Sequence, residues 1–138
     1  MDVRNYLFGK TTRTLVYKSL DANMMKQRAI ANNIANVNTE GYLRKEVSFE
    51  DRLQGILDKK IDADTPNSRH IEMGKAAAIK AMKPLAYEAN DKTLPGEINN
   101  VDIDLEMSKL AENQIQYQFG VRFSGFDGYL AAISGQAR

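Results

Sequence analysis

Ala31-Asn32-Asn33-Ile34-Ala35-Asn36-Val37-Asn38-Thr39-Glu40-Gly41-Tyr42 is the stretch on which the reading of this chain turns. Four of its residues, Asn32, Asn33, Asn36 and Asn38, are asparagines. Asparagine is a mediocre helix former because its amide competes for local backbone groups. The window closes an amphipathic segment and ends on a glycine. One reading is a fraying helix C-terminus with Gly41 as its stop. The other is a ladder of amides beside Ile30 and Ile34, bonding exposed helix-end backbone or neighbouring chains.

Upstream, no Pro or Gly intervenes between Lys10 and Gly41, and a helix is expected from about Thr12 to Asn36. Val16, Leu20, Ile30 and Ile34 share a stripe at helical spacing, with Asn23 and Gln27 interrupting its centre. Leu15, Ser19, Ala22 and Ala29 give a second face small enough for close helix approach. A stripe with Asn and Gln at its centre suits paired amides better than a dry core.

Downstream, a second long helix is expected from about Asp104 to Ser134. Asp102 or Asp104 serves as N-cap, and Glu106 in the first turn complements the dipole. Ala111, Ile115, Phe119, Phe126, Tyr129 and Ile133 form one stripe; Met107, Leu110, Gln114, Tyr117 and Val121 form another. Two stripes imply burial on more than one side. About 31 residues at the helical rise reach roughly 45 Å, longer than a domain of this size covers by itself. Gly120, Gly125 and Gly128 mark a bend or close helix contacts.

Residues 43–101 are less regular. A short helix is expected over Phe49–Lys60, with Phe49, Leu53, Ile56 and Leu57 on one side, and another over Met73–Met82, ending before Pro84. Ile61–Arg69 is polar and contains Pro66. The stretch from Ala86 to Asn100 reads as loop, with Pro95-Gly96 as a turn signal. A structureless span this long makes sense where the middle contacts other subunits. The fold expected is mainly α, with the long terminal helices paired as a hairpin or coiled coil around an irregular, partly helical middle. At 138 residues this is one domain.

Composition narrows the function. Lys and Arg total 19 against 18 Asp and Glu, which gives no general pull toward nucleic acid or acidic membranes. There is no cysteine, hence no disulfide frame or thiolate metal site. No stretch approaches the ~18 apolar residues that span a bilayer. The N-terminal residues lack the continuous apolar core and Ala-x-Ala site of a cleaved signal peptide. His70 is the single histidine, without a His or Cys partner for a triad or metal site. Asp102, Asp104 and Glu106 are more simply cap and dipole residues than a carboxylate pair. No glycine has phosphate-loop spacing. No enzyme and no cofactor is expected.

Asn33-Ile34-Ala35-Asn36, Thr39 and Gly41-Tyr42 together resemble the N-terminal signature of the flagellar axial proteins, the rod, hook and hook-associated subunits. Seven positions within ten residues carry the likeness, at the family's usual distance from the N-terminus. Asn100-Val101-Asp102, Glu106-Met107, Ala111-Glu112-Asn113 and Tyr117 resemble the last helix of the proximal-rod members, as do Arg69-His70-Ile71 and the chain length. Proximal-rod members often have Ala-Asp-Thr-Pro before Gly-Tyr. This chain has Val37-Asn38-Thr39-Glu40, commoner in neighbouring rod types, so another rod subunit is the alternative. Tyr87-Glu88-Ala89-Asn90, like a segment of those types, lies far from the last helix and is read as chance.

The resemblance implies a rod subunit whose terminal helices pack side by side with neighbours into a tube that transmits torque and encloses an export channel. Implied partners are further copies, other rod proteins, the inner-membrane (MS) ring and its adaptor, and the flagellar type III export apparatus. No nucleic acid or direct lipid binding is implied. The implied location is the periplasmic rod of the basal body, reached without a cleaved signal peptide. Interface candidates on the first helix are Val16, Leu20, Asn23, Gln27, Ile30, Asn33, Ile34 and Asn36, followed by Thr39, Gly41 and Tyr42. On the last helix they are Met107, Leu110, Asn113, Ile115, Tyr117, Phe119, Phe126 and Tyr129. Gln114, Gln116 and Gln118 suit either a channel wall or an ordinary solvated face. Phe49 and Leu53 resemble the short motif that rod and hook subunits present to the export gate. The competing class is a monomeric helical adaptor that binds a partner helix in a groove, which requires a compact free monomer with both termini protected.

Overall fold

The computed structural model describes residues 10–58, 75–89, 91 and 99–133. The polar run 61–69, the Arg69-His70-Ile71 triplet, Pro95-Gly96 and the tail after Ile133 lie outside them. Two long helices dominate: α1, Lys10–Ala35, and α4, Ile103–Ile133. Between them come β1 (Lys45–Ser48), α2 (Glu50–Asp58), α3 (Lys75–Ala81) and β2 (Leu85–Glu88). The architecture is the expected pair of terminal helices, with one correction in the middle.

That correction is a two-stranded antiparallel ribbon. Lys45 pairs with Glu88, Glu46 with Tyr87, Val47 with Ala86 and Ser48 with Leu85. The Ala89 amide donates to the Arg44 carbonyl at 2.7 Å and lengthens the ladder. Residues 86–88, expected as loop, are thus strand. The ribbon closes the middle segment at its base and sets β1 against α1, so the chain between the strands leaves and returns at one place.

The helix pair meets along faces that repeat at three- and four-residue intervals. On α1 these are Ala22, Asn23, Ala29, Ile30 and Asn33, all buried. On α4, Glu106 and Asn113 are buried, and Leu110, Tyr117 and Gly120 are half-buried. A seven-residue return on both helices is the spacing of close antiparallel or parallel packing. Apart from Ile30, Leu110 and Tyr117, the facing residues are small or polar. Gly120 marks a close approach: a Cβ there would lie 2.9 Å from Leu20 Cδ2.

The apolar cluster sits to one side. Ala22 of α1, Phe49 before α2 and Met82 after α3 are buried together, with Leu53 and Ile56 of α2 packed on them. The Leu53 amide donates to the Phe49 carbonyl at 2.9 Å, so Phe49 occupies the capping position of α2 while its ring anchors the cluster. Arg52 Nη1 donates to the Lys83 carbonyl at 2.9 Å and ties α2 to the end of α3.

Candidate functional site

The asparagine-rich stretch runs from the helix end into a hydrogen-bonded turn. α1 ends at Ala35, and the Asn36 amide donates to the carbonyls of both Asn32 and Asn33, tightening the last turn. Beyond it, the carbonyls of Asn36, Val37 and Thr39 all lie within 3.1 Å of Asn99 Nδ2, those of Asn36 and Thr39 also accepting from the Thr39 and Tyr42 amides. One distant side chain caps the helix end in place of a glycine. Gly41 is not the helix stop. It takes φ 70° in the turn where the Tyr42 amide donates to the Thr39 carbonyl, a conformation that disfavours any Cβ. Asn36 Nδ2 donates to its own helix at the Asn32 carbonyl, and its oxygen accepts from Thr39 Oγ1.

Asn33 is the hub. It is 1% exposed, and its amide group is saturated within the chain. Nδ2 donates to the Lys45 carbonyl and to Glu106 Oε2, both at 2.8 Å. Oδ1 accepts from the Lys45 amide at 2.8 Å and from the Tyr42 hydroxyl at 3.2 Å. One side chain therefore joins α1, the first strand, the Gly41-Tyr42 turn and α4. Of the four asparagines in the stretch, Asn36 is the one whose side chain bonds helix-end backbone among the described residues, and at Asn33 no side-chain donor or acceptor is left for a neighbouring chain.

Glu106 is also 1% exposed and faces two cations besides Asn33. Arg44 Nη1 lies 3.8 Å and Lys109 Nζ 3.4 Å from its Oε1. Glu106 lies in the first turn of α4 as expected, and the buried network is a role beyond that placement; Asp102 is the cap, its Oδ1 accepting from the Asp104 and Leu105 amides. Arg44 continues the network to Glu46 at 3.2 Å and to Asp91 at 2.7 Å. Asn100 accepts from the Arg44 amide and donates to the Ala89 carbonyl and Asp91. Sequence reading missed Arg44, Asn99 and Asn100 as clasp residues.

The network displaces several pKa values. Burial would raise the Glu46 carboxyl, but hydrogen bonds from Tyr87 and Lys109 and the Arg44 and Lys109 charges hold it below its ordinary value. Tyr87 is raised by that same hydrogen bond to Glu46. Burial, then the charges of Glu106 and Glu88, push Tyr42 up. At Asp91, burial is outweighed by a backbone hydrogen bond, Arg44 and Asn100, and the carboxyl is lowered. Among the described residues no cluster of His, Cys, Asp or Glu is placed to hold a metal ion. His70 lies outside those residues.

Beside the clasp runs a groove of about 290 Å³, between α1, the ribbon and α4. Lys26, Ile30, Glu46, Asp51, Glu112 and Asn113 are among its lining residues. Asn113 Nδ2 donates to the Asn23 backbone carbonyl at 2.9 Å, while its buried Oδ1 accepts no hydrogen bond.

The other candidates divide by exposure. Asn23, Ile30, Asn33 and Asn113 belong to the chain's own interior. Val16, Leu20, Ile34, Asn36, Tyr42, Leu110 and Tyr117 are half-buried; Gln27, Thr39 and Gly41 are exposed. On α4, Ile115 and Phe119 are each 70% exposed, Tyr129 62%, Met107 52% and Phe126 50%. Ala111, Ile115, Phe119, Phe126 and Tyr129 thus point away from α1 as one outward stripe. Phe119 stacks on Phe123 and Phe126 on Tyr129, each with centroids 6.4 Å apart. Phe49 is 4% exposed and Leu53 half-buried, so the pair read as an export motif is inside the folded cluster.

The sequence pattern of the family described as flagella basal body rod protein matches residues 20–42. The flagellar basal body rod protein FlgB of Bacillus subtilis is 36% identical over 118 residues, 81% of this chain and 82% of that protein. FlgB of Borrelia hermsii is 34% identical over 107 residues, 75% of this chain and 79% of its own. FlgB of Escherichia coli is 29% identical over 126 residues, 88% and 83% respectively. The matched stretch contains Asn33, its turn and the α1 face that meets α4, and the alignments run past it across most of both chains. A clasp built on that signature, in a chain aligned so widely, places this protein in the FlgB family of flagellar basal body rod proteins.

Proposed function

We infer that the chain is a structural subunit of the proximal flagellar rod and that α4 is its main assembly surface. The observation that carries this is the outward stripe of α4. Five apolar positions aligned over about 27 Å of helix, two of them 70% exposed and with Arg122 among them, form an exposed stripe of the kind that marks association sites. A solitary helical pair gains nothing by keeping Phe119, Phe126 and Tyr129 in water. Beside a neighbouring rod subunit their burial would stabilise each contact by roughly 1.5–3 kcal/mol per side chain.

In this reading the polar clasp is the chain's own fastening. It holds the ends of α1 and α4 together so that the stripe is presented at a fixed angle. Its relatives are designated rod proteins, a structural role, rather than enzymes. Assembly into a tube that transmits torque and encloses a channel, docking to the inner-membrane ring and its adaptor, and passage through the type III export apparatus to the periplasmic rod follow from that role. Phe49 and Leu53 would meet an export gate only once α2 has left the cluster with Ala22 and Met82. The export role is tested with Leu53→Ala, whose secretion should fall more than its stability loss explains; wild-type secretion removes the motif.

The test of the rod reading is a gene deletion complemented with tagged chain. Tagged chain in purified basal bodies, with motility restored, is expected. Flagella that form normally without the gene would overturn it.

A further inference from the structure

On α4, Arg122 lies seven residues after Ile115 and seven before Tyr129, in the middle of the outward stripe. It is exposed and has no ion or hydrogen-bond partner among the described residues. An unpaired guanidinium in an otherwise apolar stripe would be left without acceptors on burial, at a cost that excludes a purely apolar partner surface. It needs a surface that offers oxygen acceptors.

The groove on the same chain is such a surface. Of its lining cations, Lys26 is held by Glu50 and Lys109 by Glu46 and Glu106, leaving Lys45. On the acceptor side, Asp51 has no partner among the described residues. Glu112 accepts only from the neighbouring Gln116, and buried Asn113 Oδ1 accepts nothing. The excess is in acceptors. Arginine, with five donors and no acceptor, is the complementary side chain.

We propose that Arg122 of one copy enters the groove of the next and pairs there with Glu112 and Asp51. This rests on the rod reading and adds the partner, a second copy, and the specific contact. Stripe and groove are different surfaces, so the contact is heterologous. It leaves a free groove on one copy and a free stripe on the next, and so propagates head to tail.

The experiment uses the full chain expressed in a deletion strain, with rods purified from cells. Arg122→Glu is expected to lower the chain's incorporation into rods by about tenfold or more, and Arg122→Glu with Glu112→Arg to restore most of it. Because the chain has no cysteine, Arg122→Cys with Glu112→Cys should also give copy-to-copy bismaleimide crosslinks in rods. An unchanged unfolding midpoint of the free Arg122→Glu chain shows that the fold is intact. Wild-type incorporation of Arg122→Glu, or no crosslink, overturns this contact while leaving the rod reading in place. Absence of the wild-type chain from rods overturns both.

Discussion

Asn33 Nδ2 and Glu106 Oε2 lie 2.8 Å apart across 73 residues of sequence, both side chains 1% exposed. The bond links the last full turn of α1 to the first of α4. Removing either group leaves the other buried without its partner, the expensive case for polar interiors. Asn33→Ala also strips the Lys45 amide and carbonyl of their partners and should cost about 2–4 kcal/mol in urea unfolding. Asn33→Asp sets a second carboxylate against Glu106. Its loss is greatest at neutral pH and shrinks on acidification as one carboxyl takes a proton. A loss below about 0.5 kcal/mol for both would remove the hub role.

Asn99→Ala should cost about 1–2 kcal/mol, since one amide covers three carbonyls at the end of α1. Its signature is local: faster amide exchange around Asn36–Tyr42, with the Ala22–Met82 cluster unchanged.

α1 and α4 were legible in sequence because both carry a helical period, α1 over a run without Gly or Pro and α4 through three glycines, and Asp102 stood at a recognisable cap position. The ribbon was not. Lys45–Ser48 and Leu85–Glu88 have four residues each and no apolar alternation, and each exists because the other pairs with it. The role of Glu106 was hidden for a similar reason. An acid in a first helical turn has a sufficient local explanation, and only the tertiary placement of Asn33, Arg44 and Lys109 adds a second one. Gly41 was legible as a turn residue, and of the two readings left open for it the structure shows the one in which it is not the helix stop. On α4 the two apolar stripes were visible, but their division between partner helix and solvent depends on where α1 lies.

Gly120 and Gly125 separate packing from propensity. Gly125 has open space around it, so Gly125→Ala should stabilise the free chain by about 0.5–1 kcal/mol. Gly120→Ala brings its methyl to 2.9 Å from Leu20 Cδ2, and Leu20 must turn aside, cancelling most of that gain. Combining it with Leu20→Ala should show coupling between the two sites in thermal unfolding; strict additivity would contradict the close approach.

Glu46 and Asp91 are held below their ordinary values of 4.5 and 3.8 in the folded chain. For lowered carboxyls the unfolded state binds protons first, so their stabilisation is present above those values. It is lost as pH falls through the folded ones. Tyr42 and Tyr87 are raised from 10.0, so their contribution is present below pH 10 and is lost as pH climbs through their folded values. Unfolding free energy should therefore fall at both ends. Glu46→Gln should flatten the acid side and lower the alkaline shift of Tyr87, read by tyrosinate absorbance.

On α4 the described buried residues end at Asn113, and the half-buried ones run on to Ser124. Amide exchange in the free chain should therefore be slow around Glu106–Asn113 and fast beyond Gly125. Uniform protection to Ile133 would favour a self-sufficient monomer of the adaptor kind.

The central claim is that the α4 stripe is open in the free chain and covered in the rod. Hydroxyl-radical footprinting reads this on the wild-type protein, because Phe119, Phe126 and Tyr129 are themselves oxidisable. Strong oxidation of all three in the free chain, with strong protection in purified basal bodies, is the result predicted. Equal oxidation in both states, with protection found elsewhere on the chain, would contradict it.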